Sequence, residues 1–197
     1  MALLAPVARR NRKSSARNGA SGWLAALALA LSGSLATPAE AAVAKQYQVK
    51  AVFLFNFAQF VDWPPDAFPG PDSPFVIGVL GADPFGTALD QVVANERILD
   101  RAVVVRRFRD IQDVSLCHIL FISASEAPRL GRILRACQGR SILTVGYMES
   151  FAESKGIIQF VLVNNRLRLR INAAAARSAN LSISSQLLRQ AELVGQK

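Results

Sequence analysis

Four short, unbroken apolar runs do most to limit what this chain can become: Phe75-Val-Ile-Gly-Val-Leu80, Ala102-Val-Val-Val105, His118-Ile-Leu-Phe-Ile122 and Ser141-Ile-Leu-Thr-Val145. Each has the length of a strand, and none alternates polar with apolar residues. A strand without a polar side must be covered on both faces, which is the habit of parallel sheets. The stretches between the runs carry helix punctuation. A helical pattern follows Gly81-Ala-Asp-Pro-Phe-Gly86 and continues to about Ala94. Another begins at Ser125, with Glu126 in its first turn, Pro128 where proline is tolerated and Gly139 as its stop. The pattern predicts a doubly wound α/β domain, with a mostly parallel sheet of about six strands flanked by helices.

The last two strands come from a different signal. Ile157-Ile-Gln-Phe-Val-Leu-Val163 and Arg166-Leu-Arg-Leu-Arg-Ile171 are separated by Asn164-Asn165, residues that tolerate the positive φ of a tight turn. They predict a C-terminal β-hairpin. Arg166, Arg168 and Arg170 fall on one face of its second strand, which places that strand at a sheet edge. Asn172 then caps a short helix into Ala179, and a last helix is expected over about 184–193, carrying Leu187, Leu188 and Ala191.

The chain has 197 residues, 51% of them apolar and 19% charged, which suits one globular core and excludes a disordered polyelectrolyte. Its formal charge of +9 resembles a nucleic-acid signature until the charges are located. Arg9, Arg10, Arg12, Lys13 and Arg17 precede the apolar run Trp23–Leu31, and small residues follow at 36–44. This is the layout of a secretory signal peptide over residues 1–41, with cleavage after Ala41 or Ala44. Without its five basic residues and one acid the exported domain, residues 42–197, is only about +5, so no nucleic-acid partner is expected. Export implies a compartment where disulfides persist.

The first exported segment, Gln46 to Trp63, has no glycine or proline before Pro64 and reads as a helix. Leu54, Phe57 and Val61 share one face with Lys50, while Val49, Phe53 and Phe60 form a second apolar face. A helix apolar nearly all round is either deeply buried or covered by another molecule. Phe53, Phe57 and Phe60 are therefore candidate partner-binding anchors as well as candidate core.

Residues that could carry catalysis are scarce. His118, the one histidine, opens an apolar strand, and with two cysteines it cannot assemble a His/Cys metal site. No glycine-rich fingerprint or phosphate loop is present. Neither catalytic residues, a metal nor a cofactor is expected. Open α/β sheets bind ligands beyond the carboxyl ends of their strands, which here present Asp83, Ser123, Ser125 and Tyr147. Turn-forming and capping roles explain the same four residues, and a small-ligand receptor is the alternative they keep open. Cys117 and Cys137 fall at the same end of a strand-helix-strand unit, so a disulfide between them is expected in an oxidising compartment, as a staple or a redox switch. Arg129, Arg132 and Arg135 lie along one helical stripe followed by Arg140; with the Arg166/Arg168/Arg170 face they read as a surface for an acidic partner or phosphate groups, or as solvated charge.

Taken together, Lys50-Ala-Val-Phe-Leu-Phe-Asn-Phe-Ala-Gln-Phe-Val-Asp-Trp-Pro64, Gly78-Val-Leu-Gly-Ala-Asp-Pro-Phe-Gly86, Cys117-His-Ile-Leu-Phe-Ile-Ser123, Gly156-Ile-Ile-Gln-Phe-Val-Leu-Val-Asn-Asn-Arg166 and Leu181-Ser-Ile-Ser-Ser-Gln-Leu-Leu188 resemble the YfiR-like family of exported proteins, over about residues 45–194. The resemblance implies a small periplasmic α/β protein that is not an enzyme. It also implies a partner, a membrane-bound diguanylate cyclase or other membrane signalling protein, repressed through its periplasmic portion, with cyclic di-GMP and biofilm growth as the output. A homodimer is a further expectation for the assembly. Cys117 matches the family's cysteine before the His-Ile-Leu-Phe strand, with Cys137 its partner by implication.

Overall fold

The computed structural model describes residues 38–114 and 116–195. Most of the expected leader lies outside the described residues, and the described chain passes through Ala41 and Ala44 within its first helix, α1 (Pro38–Phe57). Pro38 occupies the helix start, where its missing N–H costs nothing, and no other proline or glycine interrupts the helix. The helix expected through Trp63 ends at Phe57. Its last N–H bonds tighten, Ala58 to Phe55 at 3.2 Å and Gln59 to Asn56 at 2.9 Å. Beyond them Pro64 biases Trp63 away from helical backbone, and Val61–Asp62 (β1) pairs antiparallel with Ser182–Ile183 (β9).

The main sheet contains β2 (Phe75–Leu80), β3 (Arg97–Ile98), β4 (Arg101–Phe108), β5 (Ile119–Ile122), β6 (Leu143–Gly146), β7 (Ile158–Val163), β8 (Arg166–Ile171) and β10 (Glu192–Leu193). They lie in the order β10-β8-β7-β6-β5-β2-β4-β3. From β4 through β7 every neighbour is parallel, as the unbroken apolar runs require; the hairpin pair β7–β8 and the pair β3–β4 are antiparallel. Ile77 lies opposite Ile119, and Ile119 opposite Leu143, so the middle of the sheet is a ladder of aliphatic residues.

Two features differ from expectation. The main sheet has eight strands because β3 and β10 are two residues long, too short to leave a periodicity in the sequence. The regular strand-helix alternation of a doubly wound sheet is also not kept. Helix α2 (Thr87–Val93) follows β2, and α3 (Leu130–Cys137) joins β5 to β6 after a 3-10 turn at Ala124–Arg129. Between β4 and β5, by contrast, the described residues form only the 3-10 turn Ile111–Asp113, and a non-helical loop links β6 to β7. Both faces are nevertheless sealed. Phe75, Ile77 and Val79 point into a cluster with Leu54, Phe57, Leu89 and Phe160, while Val76 and Leu80 point to the other side, among Ile111, Val114, Ile133, Leu134 and Phe151. Side chains of hairpin-like turns and loops thus do on the second face what crossover helices would have done.

The C-terminal segment follows its sequence signals closely at first. Asn164 and Asn165 take φ of 48° and 59°, the left-handed pair of a two-residue hairpin turn. Asn172 Oδ1 accepts the Ala175 N–H at 2.9 Å and caps α4 (Ala173–Ser178). The last helix is shorter than expected: α5 spans Ser185–Leu188, and the chain then extends to lay β10 beside β8 at Arg170 and Ile171.

Candidate partner-binding site

Helix α1 and the turn that follows it bury Lys50, Ala51, Leu54, Phe57 and Ala58, while Phe53 and Phe60 stay half-buried. Phe57, 1% exposed, stacks on Phe160 with ring centroids 5.8 Å apart, and Phe53 meets the same ring edge-on at 6.1 Å. Leu169 of β8 and Gln186, Leu187 and Gln190 from the C-terminal segment stand opposite, closing a groove of about 210 Å³. The three phenylalanines singled out from the sequence therefore do come together, in unequal roles. Phe57 is core and forms the floor; Phe53 and Phe60 are the walls with surface to offer. Polar amides of Asn56, Gln186 and Gln190 rim an aromatic floor, the composition of a contact surface that excludes water and still fixes register.

Lys50 is the functional candidate that sequence reasoning passed over. Its side chain is wholly buried, and Nζ has no hydrogen-bond partner. Two tyrosine rings enclose it, Tyr147 at 3.3 Å and Tyr47 at 4.0 Å from Nζ to centroid. Burial lowers its pKa from 10.5 to about 8. The signal was legible: Lys50 sits on the Leu54/Phe57/Val61 stripe, where a cation has no solvent. What the sequence could not show is that Tyr147, almost a hundred residues later, comes from the end of β6 to cover it.

The residues at the strand ends serve the fold. Asp83 accepts the Phe85 N–H at 2.7 Å through Oδ1 and binds Arg107 Nε at 2.7 Å through Oδ2. Ser125 Oγ accepts the Ala82 N–H at 3.0 Å, a different task from the helix cap expected of it. Ser123 is buried and precedes the 3-10 turn with no side-chain capping bond. Tyr147 lies over Lys50. These four do not converge on one cavity.

His118 packs nearly parallel to both Phe68 and Phe75, at 4.5 and 4.7 Å, and its Nδ1 accepts the Val76 N–H at 3.0 Å. Desolvation lowers its pKa to about 4, so the neutral ring is a structural residue. Cys117 and Cys137 enter one apolar cluster, but the expected disulfide is not formed in this structure. Cys117 Sγ instead donates to the Ile119 carbonyl at 2.9 Å. Burial pushes the Cys117 thiol up to about 12 and the Cys137 thiol up to about 11. Among the described residues no group of three or more His, Cys, Asp or Glu is placed to hold a metal ion.

The arginine stripe divides. Arg129 is engaged by Glu126 at 2.5 Å and Asp110 at 3.2 Å, Arg140 donates to the Val114 carbonyl, and Arg132 and Arg135 are exposed. On the hairpin, Arg170 pairs with Glu192 and Glu153, at 3.0 and 3.4 Å.

No protein of curated function matches the chain. The sequence description of the YfiR/HmsC-like family does match, over residues 47–192, from the tyrosine that covers Lys50 to the first residue of β10. That span takes in the aromatic groove, both sheet faces and the hairpin, and by it the chain belongs to the YfiR/HmsC-like family.

Proposed function

We propose that this protein is a periplasmic regulator that binds the periplasmic portion of an inner-membrane signalling protein, a diguanylate cyclase or similar, and represses its output. Membership of the YfiR/HmsC-like family supports the partner class, and the signal-peptide layout read in the sequence of residues 1–41 supports export. The observation that carries the binding mode is the groove of Phe53, Phe57 and Phe60 against the C-terminal segment. Half-buried aromatic residues in a concave, partly desolvated setting are what binding hot spots are made of. A repressor must prefer one conformation of its target, because equal affinity for two states shifts nothing. A groove built from α1 and a segment some 130 residues later presents a fixed shape, which is how such a preference is imposed. The strand-end residues are occupied within the fold, and no observation favours a small-ligand receptor at that place.

Photocrosslinking in intact cells tests the proposal, with the crosslinker at Phe53 or Phe60 and a control at exposed Arg132. Capture of a membrane signalling protein from the two groove positions, and not from Arg132, is the expected result. Exported, folded protein that captures none from either position would overturn it.

A further inference from the structure

Of the eight large apolar side chains exposed among the described residues, five lie on two elements: Val43, Val49 and Val52 on α1, Leu162 and Val163 at the hairpin. A groove of about 390 Å³ joins the two elements, with Val49 and Lys45 on one wall and Leu162 and Leu167 on the other. The hairpin projects. Partner strand β6 stops at Gly146, opposite Gln159, and β10 meets β8 only at Arg170 and Ile171, so Phe160–Leu169 continues as a two-stranded ribbon with no strand on either side. Charge at this end is mostly positive, with one exposed acid, Glu149, lining the neighbouring hollow beside Leu162 and Val163. Among the described residues Lys45, Arg166 and Arg168 are exposed and form no ion pair, and neither residues 42–57 nor residues 158–171 contain an acid.

We infer that this end, the tip of the β7–β8 ribbon with the exposed flank of α1, docks on an anionic phospholipid surface. Three physical points select that occupant. The excess of cations, three against Glu149, disfavours a second copy, since a two-fold contact through one patch sets cations mostly against cations. Leu162 and Val163 are consecutive strand residues, 41% and 49% exposed, and point to opposite faces of the ribbon. A flat protein partner covers one face and leaves the other in water, whereas the headgroup region of a bilayer surrounds the tip and covers both. Finally, arginine and lysine on long apolar stems reach phosphate groups while the aliphatic tips sit among acyl chains. The inference does not depend on the aromatic groove or on the protein partner proposed above.

The test is co-sedimentation of the full chain, isolated from expressing cells, with vesicles of equimolar phosphatidylglycerol and phosphatidylcholine or of phosphatidylcholine alone. Wild type and variants are compared in the same form, so any contribution of the leader cancels. Wild type should bind the anionic vesicles and release as salt rises. Each cation near such a surface contributes about fivefold to partitioning, so Arg166→Glu with Arg168→Glu should weaken binding by about 25-fold or more. Val163→Asp should weaken it too, with thermal unfolding unchanged. Equal binding to both vesicle types, or charge reversal without effect, overturns the inference. So does failure of wild type to bind the anionic vesicles; retention of an acidic membrane protein by its ribbon would then assign this end to a protein. The vesicles contain no protein, so none of these outcomes bears on repression of a cyclase.

Discussion

His118 and Lys50 are bases held in apolar surroundings, and each ties stability to pH in its own window. The His118 ring accepts a backbone N–H through Nδ1, and its pKa falls from 6.5 to about 4 on folding. A base with a lowered folded pKa binds its proton more readily when unfolded, so stability is complete above 6.5 and is lost as pH falls from there to about 4. The loss should reach about 3 kcal/mol, at about 1.4 kcal/mol per unit. Urea unfolding at several pH values should show this slope in wild type and a flatter one in His118→Gln. The same sign applies to Lys50, whose pKa drops from 10.5 to about 8: stability should rise as pH increases from 8 towards 10.5. At neutral pH the buried ammonium has no hydrogen bond, and the two tyrosine rings return only part of its lost hydration. Lys50→Met should therefore stabilise the protein by about 1–2 kcal/mol at pH 7 and abolish the alkaline rise, both read by chemical denaturation.

At the scale of elements, α1 and the β6–β7 loop show how position alone divides similar residues. Phe57→Ala empties a fully buried site and should cost about 3–5 kcal/mol of stability, whereas the half-buried Phe53→Ala should cost about half as much and act chiefly on partner capture. Denaturation and crosslinking yield measured on the same two variants separate these effects. The loop seals the second face with Phe151, whose ring presses on two glycines: a Cβ at Gly146 would lie 2.6 Å from it and one at Gly156 2.2 Å. Gly156→Ala should destabilise by about 1–3 kcal/mol, and combination with Phe151→Leu should recover part of that, a coupling that a double-mutant cycle measures. These contacts explain why the β6–β7 connection needs no helix. They were invisible beforehand, because a lone phenylalanine between glycines has no period to detect.

For the whole molecule, both thiols are shielded by the same apolar cluster and raised well above the ordinary cysteine range. Native protein should thus react with a thiol reagent only as fast as it unfolds, and denatured protein should take up two labels at once. Mass spectrometry under non-reducing conditions checks the count; a bridged pair would take up none. Much of this architecture is local physics. Continuous apolar runs demanded a parallel sheet, Asn164-Asn165 set the hairpin, and Asn172 capped α4, because each signal acts within a few residues. The end of α1, the two-residue strands β3 and β10, and the 3-10 turn in place of a crossover helix answered to neighbours distant in sequence. So did the site. By itself the sequence determined that α1 would carry more apolar surface than a solvated helix can, and that Lys50 would lie on its buried stripe. Only the tertiary structure decided which phenylalanine became floor and which became wall, by bringing Phe160, Leu169 and Leu187 against them. Only packing brought Tyr147 over the lysine and left the hairpin tip bare, because burial depends on where the remainder of the chain ends, and local pattern has no information about that.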